Sequence, residues 1–334
     1  MTVPGKIEHG EAPAPVPGAG EILLRIQRIG VCGSDIHAYH GKHPFTSYPV
    51  VQGHEYCGVV EAVGQGVEGI RPGMLATGRP QLVCGKCGPC RRGDYNVCET
   101  LRVQGFQVPG CAQDLFVVPK DRIVLLPAGL TPDQGALVEP VSVGCHCTNR
   151  AGDLHDKNVV VMGAGTIGNL ISQVALGRGA RNLLIVDRSD YRLNIARKCG
   201  IRNTSNTSKE NFEEAVKRVF GAEGFQVGIE AAGAQAALSA LVNGIEKGGT
   251  LIMVGVFAEP PQIDMSVVCE HEIRVFGSMM YKHEDYLKAA ELIAAGKIHT
   301  DPLVTEHFAF ERYLDAYKFI EAQGDRTLKV MIDL

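Results

Sequence analysis

The spacing of apolar positions changes character along the chain. Between about residues 20 and 140, short apolar runs are broken by glycine and proline, as in EILLRIQRIGVCG, HEYCGVVEAVG and DLFVVPKDRIVLLP. Runs of this length bounded by turn residues predict the strands of an irregular β-rich domain. From about 155 to 275, continuous apolar runs (KNVVVMGAG, NLLIVDRS, FQVGIEAAG, GGTLIMVGV, EIRVFGSMM) alternate with periodic helical stretches such as NLISQVALGRGA. Strands that lack polar alternation are covered on both faces, which predicts a parallel sheet flanked by helices. Beyond about 280 the tail holds one clear helix, HEDYLKAAELIAAGKI, and shorter elements.

Composition narrows the function classes. The 334 residues are 45% hydrophobic, enough for two domains with full cores. The net charge is −4 and the basic residues are scattered, so neither a nucleic-acid partner nor a membrane surface is indicated. No basic-then-apolar leader opens the chain and no apolar run has bilayer length, so a reducing cytoplasm is expected.

That address bears on CGKCGPCRRGDYNVC, which sets Cys84, Cys87, Cys90 and Cys98 in one short segment. Disulfide frameworks belong to small secreted chains, and the eleven cysteines here are an odd number. A tetrahedral zinc ion suits the spacing, with glycines for the turns and Lys86, Arg91 and Arg92 to offset the thiolate charge. Four protein ligands would close the site, making it structural. The competing readings are free surface thiols and a redox C-x-x-C pair, the latter without its usual strand-to-helix setting.

In NVVVMGAGTIG, Gly163, Gly165 and Gly168 form G-x-G-x-x-G, with Thr166 and Ile167 inside it, after a predicted strand and at a predicted helix start. A second strand ends in Asp187, 19 residues past Gly168, where an acid can take both hydroxyls of an adenosine ribose. The pattern predicts dinucleotide binding, with NAD favoured because Asp187 repels a 2′-phosphate; neighbouring Arg188 keeps NADP as second choice. A glycine turn used only for packing is the bland alternative.

Two stretches of the first region offer chemistry: GVCGSDIHAYHG around Cys32, and VVQGHEYCG around His54 and Glu55. Cysteine, histidine and a carboxylate are donors of a catalytic zinc that keeps one position open, but 22 residues separate Cys32 from His54, too far for a local motif. Singly, each also reads as an ordinary core or loop residue.

Taken in order, Cys32-Gly33-Ser34-Asp35, Gly53-His54-Glu55, the four-cysteine run, LVEP at 137–140 and the glycine fingerprint resemble the zinc-containing medium-chain dehydrogenases. The resemblance spans essentially the whole chain. It implies a GroES-like, β-rich catalytic domain (1–143, with the zinc lobe near 80–100), a doubly wound Rossmann domain (144–277) and a tail (278–334) that returns to the first. Glu55 and the Glu139-Pro140 pair are similar to the branch acting on polyols, sugar acids and threonine.

The resemblance also implies roles. Cys32, His54 and Glu55 would hold a catalytic zinc with Glu139 close by, giving two zinc ions per chain. Asp35 would orient the histidine, Ser34 would take the hydroxyl proton, and His37 would pass it outward, a loop-orienting role being the alternative for His37. The glycines would place the pyrophosphate, and Asp187 with Arg192 the ribose. Relatives are homodimers or homotetramers.

The expected reaction is NAD-linked oxidation of a secondary hydroxyl on a polyhydroxylated substrate, polyol or sugar acid. L-Threonine 3-dehydrogenase is the alternative, and a non-catalytic NAD-binding protein is the alternative of another class. Where sorbitol-type relatives carry Arg-Tyr, this chain has Met280-Tyr281, which argues against sorbitol itself. Lys282 and the histidines of IHAYHGKHPF are candidates for facing a substrate carboxylate, a solvated Lys282 being the favoured alternative.

Overall fold

A computed structural model describes all residues from Met1 to Leu334. The chain forms two compact units. One comprises Met1–Glu139, Lys282–Ala294 and Val304–Leu334; the other comprises Pro140–Tyr281 and Ala295–Leu303.

The first unit is built on a seven-stranded sheet. Its centre is the long strand Glu21–Val31, whose burial pattern leaves few positions exposed because it pairs on one side with Glu55–Val63 and on the other with Lys329–Asp333, and also with Leu115–Pro119. Ile22, Leu24, Ile26 and Ile29 from this strand pack with Tyr56, Val60, Tyr317 and Ile332. Gly30 lies opposite Glu55, and Val31 lies opposite Val330. These two registers carry the first and last parts of the chain to the same sheet end.

The second unit has a six-stranded, wholly parallel sheet. Its order is Asn203–Asn206, Asn182–Asp187, Asn158–Met162, Val227–Glu230, Thr250–Met253, Arg274–Gly277. Numbered along this unit that is 3-2-1-4-5-6, the doubly wound Rossmann order. Side-chain alternation explains why these strands read as unbroken apolar runs. Val159 and Val161 enter one core, while Val160 and Met162 enter the core on the opposite face. Leu183 and Ile185 divide from Leu184 and Val186 in the same way.

The segment Ala295–Leu303 joins this unit through buried Gln173, which accepts from His299 N–H at 2.6 Å and donates to His299 O at 3.2 Å. No helix is long and apolar enough to cross a membrane.

Candidate functional site

The sulfurs of Cys84, Cys87, Cys90 and Cys98 all lie within 4.8 Å of one another. The Cys84–Cys90 and Cys87–Cys98 pairs are 4.0 and 3.9 Å apart, far beyond a disulfide, and every cysteine of the chain is free. Zinc–sulfur bonds of about 2.3 Å in a tetrahedron put sulfurs roughly 3.8 Å apart, so the cluster fits that ion. The backbone prepares it: N–H groups of Lys86 and Cys87 donate to Cys84 Sγ, and Cys84 N–H donates to Cys98 Sγ. The first two pull the Cys84 thiol down to about 6. Partial desolvation and neighbouring thiols push Cys90 up to about 12.

A second donor set is assembled from separate strands. Cys32 follows strand Glu21–Val31 and caps the short helix Gly33–Tyr39, while His54 directly precedes strand Glu55–Val63, which Glu55 opens. Their ligand atoms lie within 4.8 Å of each other, with His54 and Glu55 buried. Asp35 ties the set together, accepting from Cys32 N–H at 2.9 Å and placing Oδ1 3.4 Å from His54 Nδ1. Burial opposes the imidazolium, but the Asp35 carboxylate and the Cys32 sulfur outweigh it and hold the His54 pKa well above the ordinary histidine value. Such a ring, buried beside a cysteine and a carboxylate, suits a cation that takes the proton's place.

Glu139 is also buried, in the first turn of helix Val138–Arg150. Ser34 is partly accessible and His37 exposed on the helix that begins after Cys32.

Sequence reasoning missed Lys329. The residue is 3% exposed, and its ammonium sits 2.5 Å from Glu55 Oε2 and 3.1 Å from Val31 O. Burial works against this charge, and Glu55, Cys32 and Glu139 together outweigh it, so the lysine pKa is raised. Gly30 makes the arrangement fit, because a Cβ there would collide with Glu55 Oε2. Lys282 has a different partner: it donates to Asp94 Oδ1 at 3.0 Å beside the four-cysteine segment.

In the second unit, the three motif glycines have three separate reasons. Gly163 has φ +101° and makes the turn out of strand Asn158–Met162. A Cβ on Gly168 would run into Gly163 O, so the third glycine lets helix Thr166–Gly177 pack on the strand. At Gly165 a Cβ would meet nothing closer than an Arg192 guanidinium nitrogen at 4.0 Å. That bare helix N-terminus, with Thr166 and Ile167 in its first turn, is where a pyrophosphate can approach backbone N–H groups. Arg192 Nε is buried without a hydrogen-bond partner. Asp187 holds the loop from the strand end: Oδ2 accepts from Ala164 N–H at 2.7 Å, and Oδ1 from Arg188 and Ser189 N–H at 2.7 and 2.9 Å.

Residues 18–128 match the family model of the alcohol dehydrogenase GroES-like domain, and residues 166–295 that of zinc-binding dehydrogenases. L-Threonine 3-dehydrogenase of Escherichia coli K12 is 32% identical over 326 residues, 94% of each chain. This chain belongs to the zinc-containing medium-chain dehydrogenases. Within that family, L-galactonate-5-dehydrogenase of E. coli K12 is 34% identical over 306 residues, 91% of this chain and 89% of the other. A zinc-binding dehydrogenase from Sinorhizobium meliloti 1021, solved with NADP bound, superposes with a TM-score of 0.92 at 30% identity, covering 99% of this chain and 97% of that one. The expected GroES-like and Rossmann architectures of a medium-chain dehydrogenase are therefore both present.

Proposed function

We propose that this dehydrogenase uses zinc and NAD to oxidise a secondary hydroxyl of a polyol or sugar acid to the ketone. The observation that carries the reading is the set of half-buried Cys32 with buried His54 and Glu55: three donors within 4.8 Å, where a purely structural zinc takes four. Zinc there would supply a Lewis-acid charge that makes a substrate hydroxyl more acidic. NAD would accept the hydride from the carbinol carbon.

The chain's own residues do the rest. Asp35 fixes the ring of His54 and the backbone of Cys32 together, so two donors keep one geometry. Ser34 Oγ receives the substrate's hydroxyl proton and passes its own onward. The exposed ring of His37, three residues later on the same short helix, is its outlet. Glu139 is the mobile carboxylate of the site. Gly163, Gly165 and Gly168 admit the pyrophosphate, Arg192 offers an unpartnered N–H to the adenosine ribose, and the Asp187 carboxylate favours a free ribose over a 2′-phosphate.

The resemblance to L-galactonate-5-dehydrogenase supports a sugar-acid substrate. Threonine oxidation is about as well supported, by the resemblance to L-threonine 3-dehydrogenase. A screen of NAD reduction with polyols, aldonates, hexuronates, inositols and L-threonine at one pH separates them. Threonine as sole good substrate overturns the proposal, and no NAD reduction at all points to a non-catalytic binder.

A second copy is the proposed partner of strand Arg274–Gly277, which ends the parallel sheet with all four residues exposed, Val275 and Phe276 among them. Phe276→Asp should turn a dimer or tetramer into monomers in light scattering; a wild-type monomer refutes the assembly. The proposed address is the cytoplasm, a compartment that keeps eleven free thiols reduced.

A further inference from the structure

Glu55 has two carboxylate oxygens, and one is already spoken for. Oε2 receives the Lys329 ammonium at 2.5 Å, and Gly30 leaves the space that oxygen occupies. Lys329 is held in turn: its Nζ also donates to Val31 O at 3.1 Å, and its strand pairs with strand Glu21–Val31 next to Cys32. This ion pair is buried at both ends, with side chains 4% and 2% exposed, so neither partner can exchange it for water. We propose that Lys329 is the positioning residue of the metal-facing carboxylate, restricting Glu55 to one oxygen toward a metal held by Cys32 and His54 and setting a fixed positive charge beside the donors.

The inference rests on the zinc-dependent reading and deepens it. A thiolate, a neutral imidazole and a carboxylate cancel the charge of a zinc ion, and the Asp35 carboxylate behind His54 adds one negative charge that Lys329 offsets. The field on a substrate hydroxyl is then stronger than it would be without the lysine. A carboxylate free to offer both oxygens would crowd the position that the substrate needs.

The test reads the metal rather than turnover. Cobalt(II) is exchanged into the Cys32 site while zinc stays in the four-cysteine lobe, and visible absorption and the rate of release to a chelator are recorded. In Lys329→Met the second oxygen of Glu55 becomes available, so the absorption should weaken as coordination number rises, and release should slow roughly tenfold. Lys329→Arg should keep the wild-type spectrum. In a Glu55→Gln background, Lys329→Met should change neither readout, and this double variant, which buries no lone charge, should melt above the Lys329→Met single. Unchanged spectrum and release in folded Lys329→Met would overturn the proposal. So would an equal effect in the Glu55→Gln background, which also decides the matter if the single variant does not fold. A wild-type chain that takes cobalt at Cys32 with these responses but reduces no NAD would leave the role of Lys329 standing and sink the proposed function instead.

Discussion

In the four-cysteine lobe, every donor comes from residues 84–98, and backbone N–H groups of the same segment stabilise the sulfurs. At the Cys32 set, the donors come from two strands, their orienting acid from a helix, and the cation beside Glu55 from the last strand, 274 residues further along the chain. The two sites are made of similar ligands, yet the lobe can be shaped by its own turns whereas the other exists only after a sheet has formed. A closed, local site suits a clasp. A dispersed site, whose donors are set by strand register, suits chemistry that demands an open position and a tuned charge.

Removing donors should separate the two most sharply. Cys32→Ser or His54→Ala is expected to lower kcat/KM by on the order of 10³-fold or more, with NAD affinity near wild type. Retained turnover in both would mean that the dispersed set is not the reaction centre. The lobe should show the opposite pattern. Cys98→Ser should destabilise the protein by on the order of 4 kcal/mol in denaturant melts while the Cys32 site of the folded fraction still binds metal. A melt indistinguishable from wild type would deny the lobe its role as clasp.

Proton release sharpens the comparison further. The raised pKa of His54 means that, without metal, its protonation stabilises the fold; that contribution is full below the ordinary value of about 6.5 and is lost as pH rises through the higher folded value. Metal must displace this proton as well as that of the Cys32 thiol, so affinity at the Cys32 site should fall by up to about a hundredfold per pH unit on acidification. Calorimetry of zinc uptake by Cys98→Ser, in buffers of different ionisation enthalpy, should find more protons released than by Cys98→Ser/His54→Ala; an equal release contradicts a protonated resting His54.

On the cofactor side, Asp187→Ala should weaken NAD more than NADP by about 1–3 kcal/mol. Because Asp187 also holds Ala164, Arg188 and Ser189, both cofactors should lose some affinity, and Asp187→Asn, which keeps an acceptor, should isolate the charge. Equal NAD:NADP ratios in wild type and Asn variant would remove the selectivity role. The smallest effect belongs to Lys282→Met: its half-exposed pair with Asp94 is worth under about 1 kcal/mol, and the aldonate-to-polyol preference should stay within about twofold. A larger change in that preference would return Lys282 to the substrate.

The same contrast explains how far these features were legible in the sequence. The parallel sheet was readable because Val159 to Met162 serve two cores and leave no polar position. The lobe was readable because ligand spacing is a local property. The dispersed set yielded only to resemblance, since nothing in the spacing of Cys32 and His54 says that they meet. Lys329 lay beyond both routes: it looks like any lysine in an apolar strand, and only the register of Val31 with Val330 and of Gly30 with Glu55 brings it to the carboxylate. Lys282 shows the reverse case, a charge without a visible partner in the sequence that the fold pairs with Asp94.

Zinc per chain, by elemental analysis of purified wild type, Cys98→Ser and Cys32→Ser, decides whether the molecule divides its metal between a clasp and a reaction centre. Two independent sites require about two, one and one, the remaining ion of Cys98→Ser supporting turnover in the folded fraction and that of Cys32→Ser supporting none. One zinc in the wild type, or no loss from either variant, would contradict that division.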